Sequence, residues 1–174
     1  MFGTPIADGP TRVSVTREEP DAGTILRTAH DGYEGRFGVI HQRSVLLSTD
    51  GNKFEGEDIF LPAEGKLLPN DALDEFAVRF HLHPSIKANR LSDGHGVILS
   101  LPNKEVWNFN AHEERVEIEE SVYLAGQDGP RRTLQIVIYG RARIVHRVHW
   151  TFGRAPQAAA AARKGRGEEP QLPL

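Results

Sequence analysis

Apolar and polar residues alternate with a period of two along most of the chain, the signature of half-buried β-strands. In residues 11–17 (TRVSVTR) Val13 and Val15 share a face. Residues 24–30 follow the turn-like Pro20-Asp21-Ala22-Gly23, and residues 37–48 (FGVIHQRSVLLS) run into Thr49-Asp50-Gly51-Asn52, a strong hairpin signal. Residues 53–60 return from that hairpin. Residues 74–83, 96–101, 105–110, 115–124 and 132–139 continue the series, separated by Gly, Pro, Asn and Asp clusters. Residues 144–152 close it, with Ile144, His146, Val148, Trp150 and Phe152 in one register. No amphipathic helix interrupts the rhythm. The pattern predicts an all-β fold, an antiparallel β-sandwich of about ten strands occupying residues 11–152. Residues 1–10 read as a lead, residues 62–73 (PAEGKLLPNDAL) as a mobile excursion, and residues 153–174 as a disordered C-terminal tail with no face to bury.

Composition narrows the function classes. The 174 residues include no cysteine, which removes disulfides, thiolate metal sites and cysteine nucleophiles. A net charge of −3 with scattered Lys and Arg predicts no nucleic-acid partner. No apolar run reaches the roughly 20 residues of a membrane span, so no membrane partner is expected. The opening MFGTPIADGPTR lacks the basic and apolar regions of a signal peptide and reads as cytoplasmic as it stands. A phosphate-binding glycine loop, a Gly-x-Ser-x-Gly elbow and a His-Glu-x-x-His pair are all missing from the sequence, and no cofactor is expected.

Three clusters carry candidate chemistry. In "RFHLHP", His81 and His83 stand two residues apart on a predicted strand and share a face. Such a pair suits a metal, but the carboxylate that a cupin-type barrel places four or five residues later is replaced by Lys87 and Ala88. A third ligand would have to come from a distance, from His41 or Glu119 for instance. The alternative is a polar cross-strand row with Arg79 while Phe80 and Leu82 face the core, and no metal site is expected. In the second cluster His30, Tyr33, His41 and Arg43 supply the residue types that abstract a proton beside a carboxylate and stabilise the enolate. Read structurally, Asp31-Gly32 is a corner, Tyr33 covers a core edge and His41 alternates out of a strand. In the third, "RVEIEESVYL", Glu120 shares a face with Val116, Ile118, Val122 and Leu124. It either has a cationic partner or marks the edge of the core; paired carboxylates there also fit acid–base chemistry. Trp107, Tyr123 and Trp150 are either stacking platforms for sugar rings or core residues.

Four ordered blocks, "HDGYEGRFGVIHQRSVLLSTDGNKFEGEDIF", "FAVRFHLHPSIKA", "VILSLPNKEVWNFNA" and "VEIEESVYLAGQDGPRRTLQIVIYG", resemble the C-terminal β-sandwich region of heparinase II/III-family proteins. Gln42 departs from the family, which often carries a basic residue in that block. The resemblance implies a polysaccharide lyase in which an N-terminal α/α-toroid and a β-sandwich flank the substrate. β-Elimination on a uronic-acid-containing polysaccharide follows from it, with the base and acid drawn chiefly from the toroid. A further histidine and the zinc ligands come from a His-rich segment at the start of the β region. Family members are often periplasmic. This chain is expected to begin after that segment, so no catalytic or zinc-binding residue carries onto a numbered position here. His30, Tyr33, His41, His81 and His83 remain as substrate-binding candidates. Two expectations stand: a sandwich portion inactive without its toroid, prone to self-association, or a free-standing carbohydrate- or partner-binding module.

Overall fold

The computed structural model describes residues 9–64, 74–126 and 129–156. The alternating segments become eleven strands: β1 (Val13–Glu18), β2 (Gly23–Tyr33), β3 (Val39–Ser48), β4 (Lys53–Pro62), β5 (Glu75–His81), β6 (Lys87–Arg90), β7 (Gly96–Ser100), β8 (Val106–Asn110), β9 (Val116–Tyr123), β10 (Arg131–Arg141) and β11 (Arg147–Arg154). The extra strand relative to the sequence reading is β6. A single helical turn, α1 (Glu34–Phe37), joins β2 to β3 and ends on Gly38, whose φ of 66° makes it a left-handed cap.

Two antiparallel sheets face each other. The large one has eight strands in the order β1-β2-β3-β4-β11-β8-β7-β6; the small one has three, β5-β10-β9. Strand β11 seals the large sheet by pairing β4 on one side and β8 on the other. Val148 and Trp150 of its apolar register are buried, and Phe152 packs against the core. On the small sheet Val78, Ile136, Ile138 and Val116 fill the gap opposite them. Gly56 lies under the Trp150 indole, which a Cβ at that position would overlap, so the glycine is what lets this ring settle flat on β4.

The sheets are unequal, and the small one leaves β1, β2 and part of β3 uncovered. All six residues of β1 are exposed, Val13 at 61% and Val15 at 63%. Leu26 of β2 and Leu47 of β3 are exposed as well, at 36% and 47%. Strand β1 is thus an exposed edge of the large sheet, while β2 is paired on both sides.

Some boundaries move. Gly153 and Arg154, read above as the start of the tail, are the last residues of β11 and pair with Asn108 and Trp107. Pro62 of the expected excursion closes β4, opposite Val39. Ala63 of that excursion is buried, its N–H donating to the Gly38 carbonyl (2.8 Å), while residues 65–73, and residues 157–174 of the tail, lie outside the described residues. Glu120 is not buried: it is exposed, 3.9 Å from Arg132, and with Val122 and Leu124 it lies where β9 runs past the core edge.

Candidate functional site

The second histidine cluster is brought together at the border between covered and uncovered sheet. His30 on β2 stands directly opposite His41 on β3, and His41 opposite Phe60 on β4. One step along, Arg43 stands opposite Asp58. Directly paired residues point to the same side of a sheet, so all of these face inward. After His30 the β2–β3 ladder shifts register, which turns Tyr33 back against the His30 ring at 5.2 Å between centroids.

Asp58 is the hub. Its side chain has 0% exposure, and it accepts from His41 Nε2 (2.7 Å), Arg43 Nε (2.7 Å), Arg43 Nη2 (3.1 Å) and Trp150 Nε1 (2.9 Å). Burial pushes its carboxyl pKa up, and the bonds from His41, Arg43 and Trp150 outweigh that and hold it below the ordinary value. Asp58 is therefore a carboxylate that can only accept, which fixes the proton of neutral His41 on Nε2. His41 Nδ1 then faces His30 Nε2 at 3.1 Å, and the Gly32 N–H donates to His30 Nδ1 at 3.2 Å. The tautomers follow in sequence: His30 accepts at Nδ1 and donates from Nε2 to His41, which donates to Asp58. Burial and the neighbouring His41 lower the His30 pKa, outweighing the opposing influence of Asp31 and favouring the neutral ring this chain requires.

Asp31 has a separate task. It accepts from the Thr11 N–H (2.8 Å), the Thr11 hydroxyl (2.6 Å) and the Arg12 N–H and Nε (3.1 Å each), and so anchors the start of β1. The Thr11 hydroxyl and Arg12 backbone bonds hold its carboxyl well below the usual carboxylate range. Arg12 also pairs with Glu34 of α1. The "HDGY" stretch, read above as a corner, instead lies within β2, whose register shifts after His30, and the chain turns one step later at α1; the stretch also starts a part-buried polar chain.

A cavity of about 400 Å³ opens beside this chain. His30, Tyr33, His41, Arg43 and Asp58 line one side and residues 75–79 of β5 the other. Asp74 sits at its β5 end, paired with Arg141 (2.8 Å) and Arg143 (3.4 Å). Its burial would raise its carboxyl pKa, and the two arginines outweigh that and lower it.

His81 and His83 lie elsewhere. Both point away from the core, His81 toward the Ser121 hydroxyl (2.8 Å) and His83 toward that of Ser85 (2.7 Å), with the His83 ring 5.0 Å from Tyr123. Glu119, considered as a third ligand, is bonded by Gln135 (3.1 Å) and Tyr139. Among the described residues no group of three or more His, Asp or Glu is placed to hold a metal ion. Of the stacking candidates, Trp150 is a core residue at 2% exposure, while Trp107 is half-buried and packs on the core.

The sequence reading missed Asp58. The signal was available: Phe54, Gly56, Asp58 and Phe60 share one strand face, so a carboxylate interrupts an otherwise apolar register.

An open two-sheet sandwich of eight strands over three, with a buried imidazole–carboxylate chain beside an inter-sheet cavity, defines the class. Residues 7–161 match the family "Heparinase II/III-like, C-terminal", and the chain belongs to that family. FtsZ-localized protein C of Caulobacter vibrioides (strain NA1000 / CB15N) is 30% identical over 165 residues, which cover 88% of this chain and 27% of that protein. Heparan sulfate lyase HepC from Pedobacter heparinus superposes with a TM-score of 0.64 at 13% identity, over 83% of this chain and 22% of that one. A heparinase III gene product gives 0.64 at 11%, over 87% and 23%. At such identities the structural likeness speaks for the fold. The chain spans about a quarter of the length of these relatives.

Proposed function

We propose that the chain acts as the C-terminal β-sandwich portion of a heparinase II/III-type polysaccharide lyase. On this reading the larger protein carries an α/α-toroid and cleaves uronic-acid-containing polysaccharide by β-elimination, and the sandwich alone is inactive. The observation that carries the reading is the state of the imidazoles. β-Elimination needs a base with a free lone pair near the reacting carbon. At His30 and His41 every ring nitrogen is already engaged, by Gly32, by the other ring or by Asp58. These residues shape and orient a wall of the site, and the proton-transfer groups come from another part. The test is direct: incubated with heparin, heparan sulfate or alginate, the isolated chain yields no growth in the ultraviolet absorbance of unsaturated uronates. Steady, protein-dependent growth overturns the reading.

A second reading is favoured by one finding, that the relative at 30% identity is named for its localisation with FtsZ rather than for cleavage of a polysaccharide. On it the chain is a carbohydrate- or partner-binding module. A longer form assembled with its toroid and still inert toward all three polysaccharides would favour this module over the lyase.

A further inference from the structure

The cavity beside His41 has an unusual lining on its β5 side: five consecutive residues, 75–79, border it. Side chains of a strand alternate between faces, so a consecutive run means that the cavity runs along the backbone edge. Strand β5 pairs with β10 on one side and ends the small sheet on the other. Which backbone groups face that edge follows from the ladder. The Leu82 N–H donates to Leu134 (2.9 Å) and the Ala142 N–H to Asp74 (2.8 Å). Both pairs lie in the β5–β10 register, so residues 76, 78 and 80 are the hydrogen-bonded positions toward β10. Ala77 and Arg79 therefore turn their N–H and C=O groups toward the cavity, and among the described residues no backbone partner meets them there.

The opposite wall fits this edge. Beyond β5 the inward face of β2 and β3 is only partly covered, carrying the half-buried His30, Arg43 and Val45 and the exposed Leu26. A strand laid beside β5 would continue the small sheet at the ordinary spacing of about 4.8 Å and cover that face. The lining of residues 75–79 corresponds to about 16 Å, or five residues of extended chain.

We propose that the free edge of β5 accepts an extended segment of the longer protein, which adds as a fourth strand to the small sheet and closes the cavity over His30 and His41. This rests on the reading of the chain as part of a larger protein, and the extent of the relatives supports the occupant: 73% of FtsZ-localized protein C lies outside the matching region, the complement of the 27% covered. Its chemistry follows from the walls. Inward side chains meet Leu26, Val45 and the Tyr33 ring with His30 and Arg43 between them, and are apolar except for a hydrogen-bonding group set against Arg43. Outward ones stand beside Glu75 and Arg79 and are polar or charged.

The full chain is mixed with the part of FtsZ-localized protein C that lies outside the matching region, and hydrogen exchange is followed with and without it. In the chain alone the Ala77 and Arg79 amides exchange fast; in the complex they become protected. Ala77→Pro, which deletes a donor on the free edge of an edge strand, weakens the complex about tenfold. Should that variant fail to fold, Leu26→Glu, an exposed substitution on the face to be covered, weakens it by at least as much. Protection that falls on β1 with Ala77 and Arg79 unchanged overturns strand addition and leaves the larger-protein reading standing. Amides at 77 and 79 already protected in a monomeric chain alone, or protected only as the chain self-associates, overturn it too. No complex at high micromolar concentration overturns both.

Discussion

Replacing Asp58 by Asn keeps its volume and changes its chemistry, which makes it a sharp probe of the buried hub. All four hydrogen bonds on the carboxylate are donated by the partners, from His41, Arg43 twice and Trp150. An amide offers one acceptor oxygen and one NH2. If the oxygen sits at Oδ1, the NH2 points at donors on Trp150 and Arg43; if it sits at Oδ2, the NH2 points at donors on His41 and Arg43. His41 has no easy escape by exchanging tautomers, because His30 would then need a proton on Nδ1, where Gly32 already donates. Either orientation loses two bonds to a charged acceptor, each worth about 1.5–3 kcal/mol. Arg43 is also left without its counter-ion, although its partial exposure softens that loss. The expected cost is about 3–5 kcal/mol, or a Tm lower by about 8–15 °C for a domain of this size. Urea unfolding followed by far-UV circular dichroism measures it. A loss below about 1 kcal/mol would show that the hub is dispensable and refute the tautomer assignment built on it. The acid limb gives a second readout. Because the folded-state pKa of Asp58 is depressed, its contribution is complete above the unfolded carboxylate value and is lost as pH falls through the folded one. Asp58→Asn removes that part of the acid sensitivity.

Gly56→Ala inserts a methyl under the Trp150 indole and costs about 1–3 kcal/mol by urea titration, whereas Gly153→Ala, with no neighbour within 4 Å of its Cβ, serves as the near-neutral control. Asp31→Ala releases the start of β1, so hydrogen exchange accelerates in residues 13–18 while residues 136–138 keep their protection. The His30 pKa is lowered on folding, so between the folded and unfolded values the unfolded chain binds the extra proton; stability present above the unfolded histidine value of about 6.5 declines as pH falls through the folded one, and His30→Gln lessens that decline.

The strands were legible because one side of each faces a core, and a period of two survives wherever that holds. β6 escaped because it is four residues long and lies at a sheet edge, where Ala88 is its sole apolar residue. The outward placement of His81 and His83 was also legible, since the alternating Phe80 and Leu82 had to face the core. The joining of His30 to His41 was not. The two histidines are 11 residues apart, and α1 together with the shifted register after His30 decides whether they meet. A turn one residue longer would have set them on opposite faces. Asp58 was missed while Glu120 was singled out, though both interrupt apolar registers, because nothing local tells a strand centre under Trp150 from a strand end that has left the sandwich.

The position of β11 has a consequence for synthesis on the ribosome. The Trp150–Asp58 hydrogen bond joins residues 92 apart, and β4 and β8 share no ladder until β11 enters between them. The meander β1–β4 and the meander β6–β8 can each pair locally as they emerge, but they remain two separate ribbons with raw inner edges until residue 154 has cleared the exit tunnel. Folding of the large sheet therefore waits in its decisive step on its last-made strand, dominated by one distant closure and slow by the measure of contact order. During that interval the unpaired edges of β4 and β8 are the surfaces on which a chaperone would act, or on which nascent chains would aggregate.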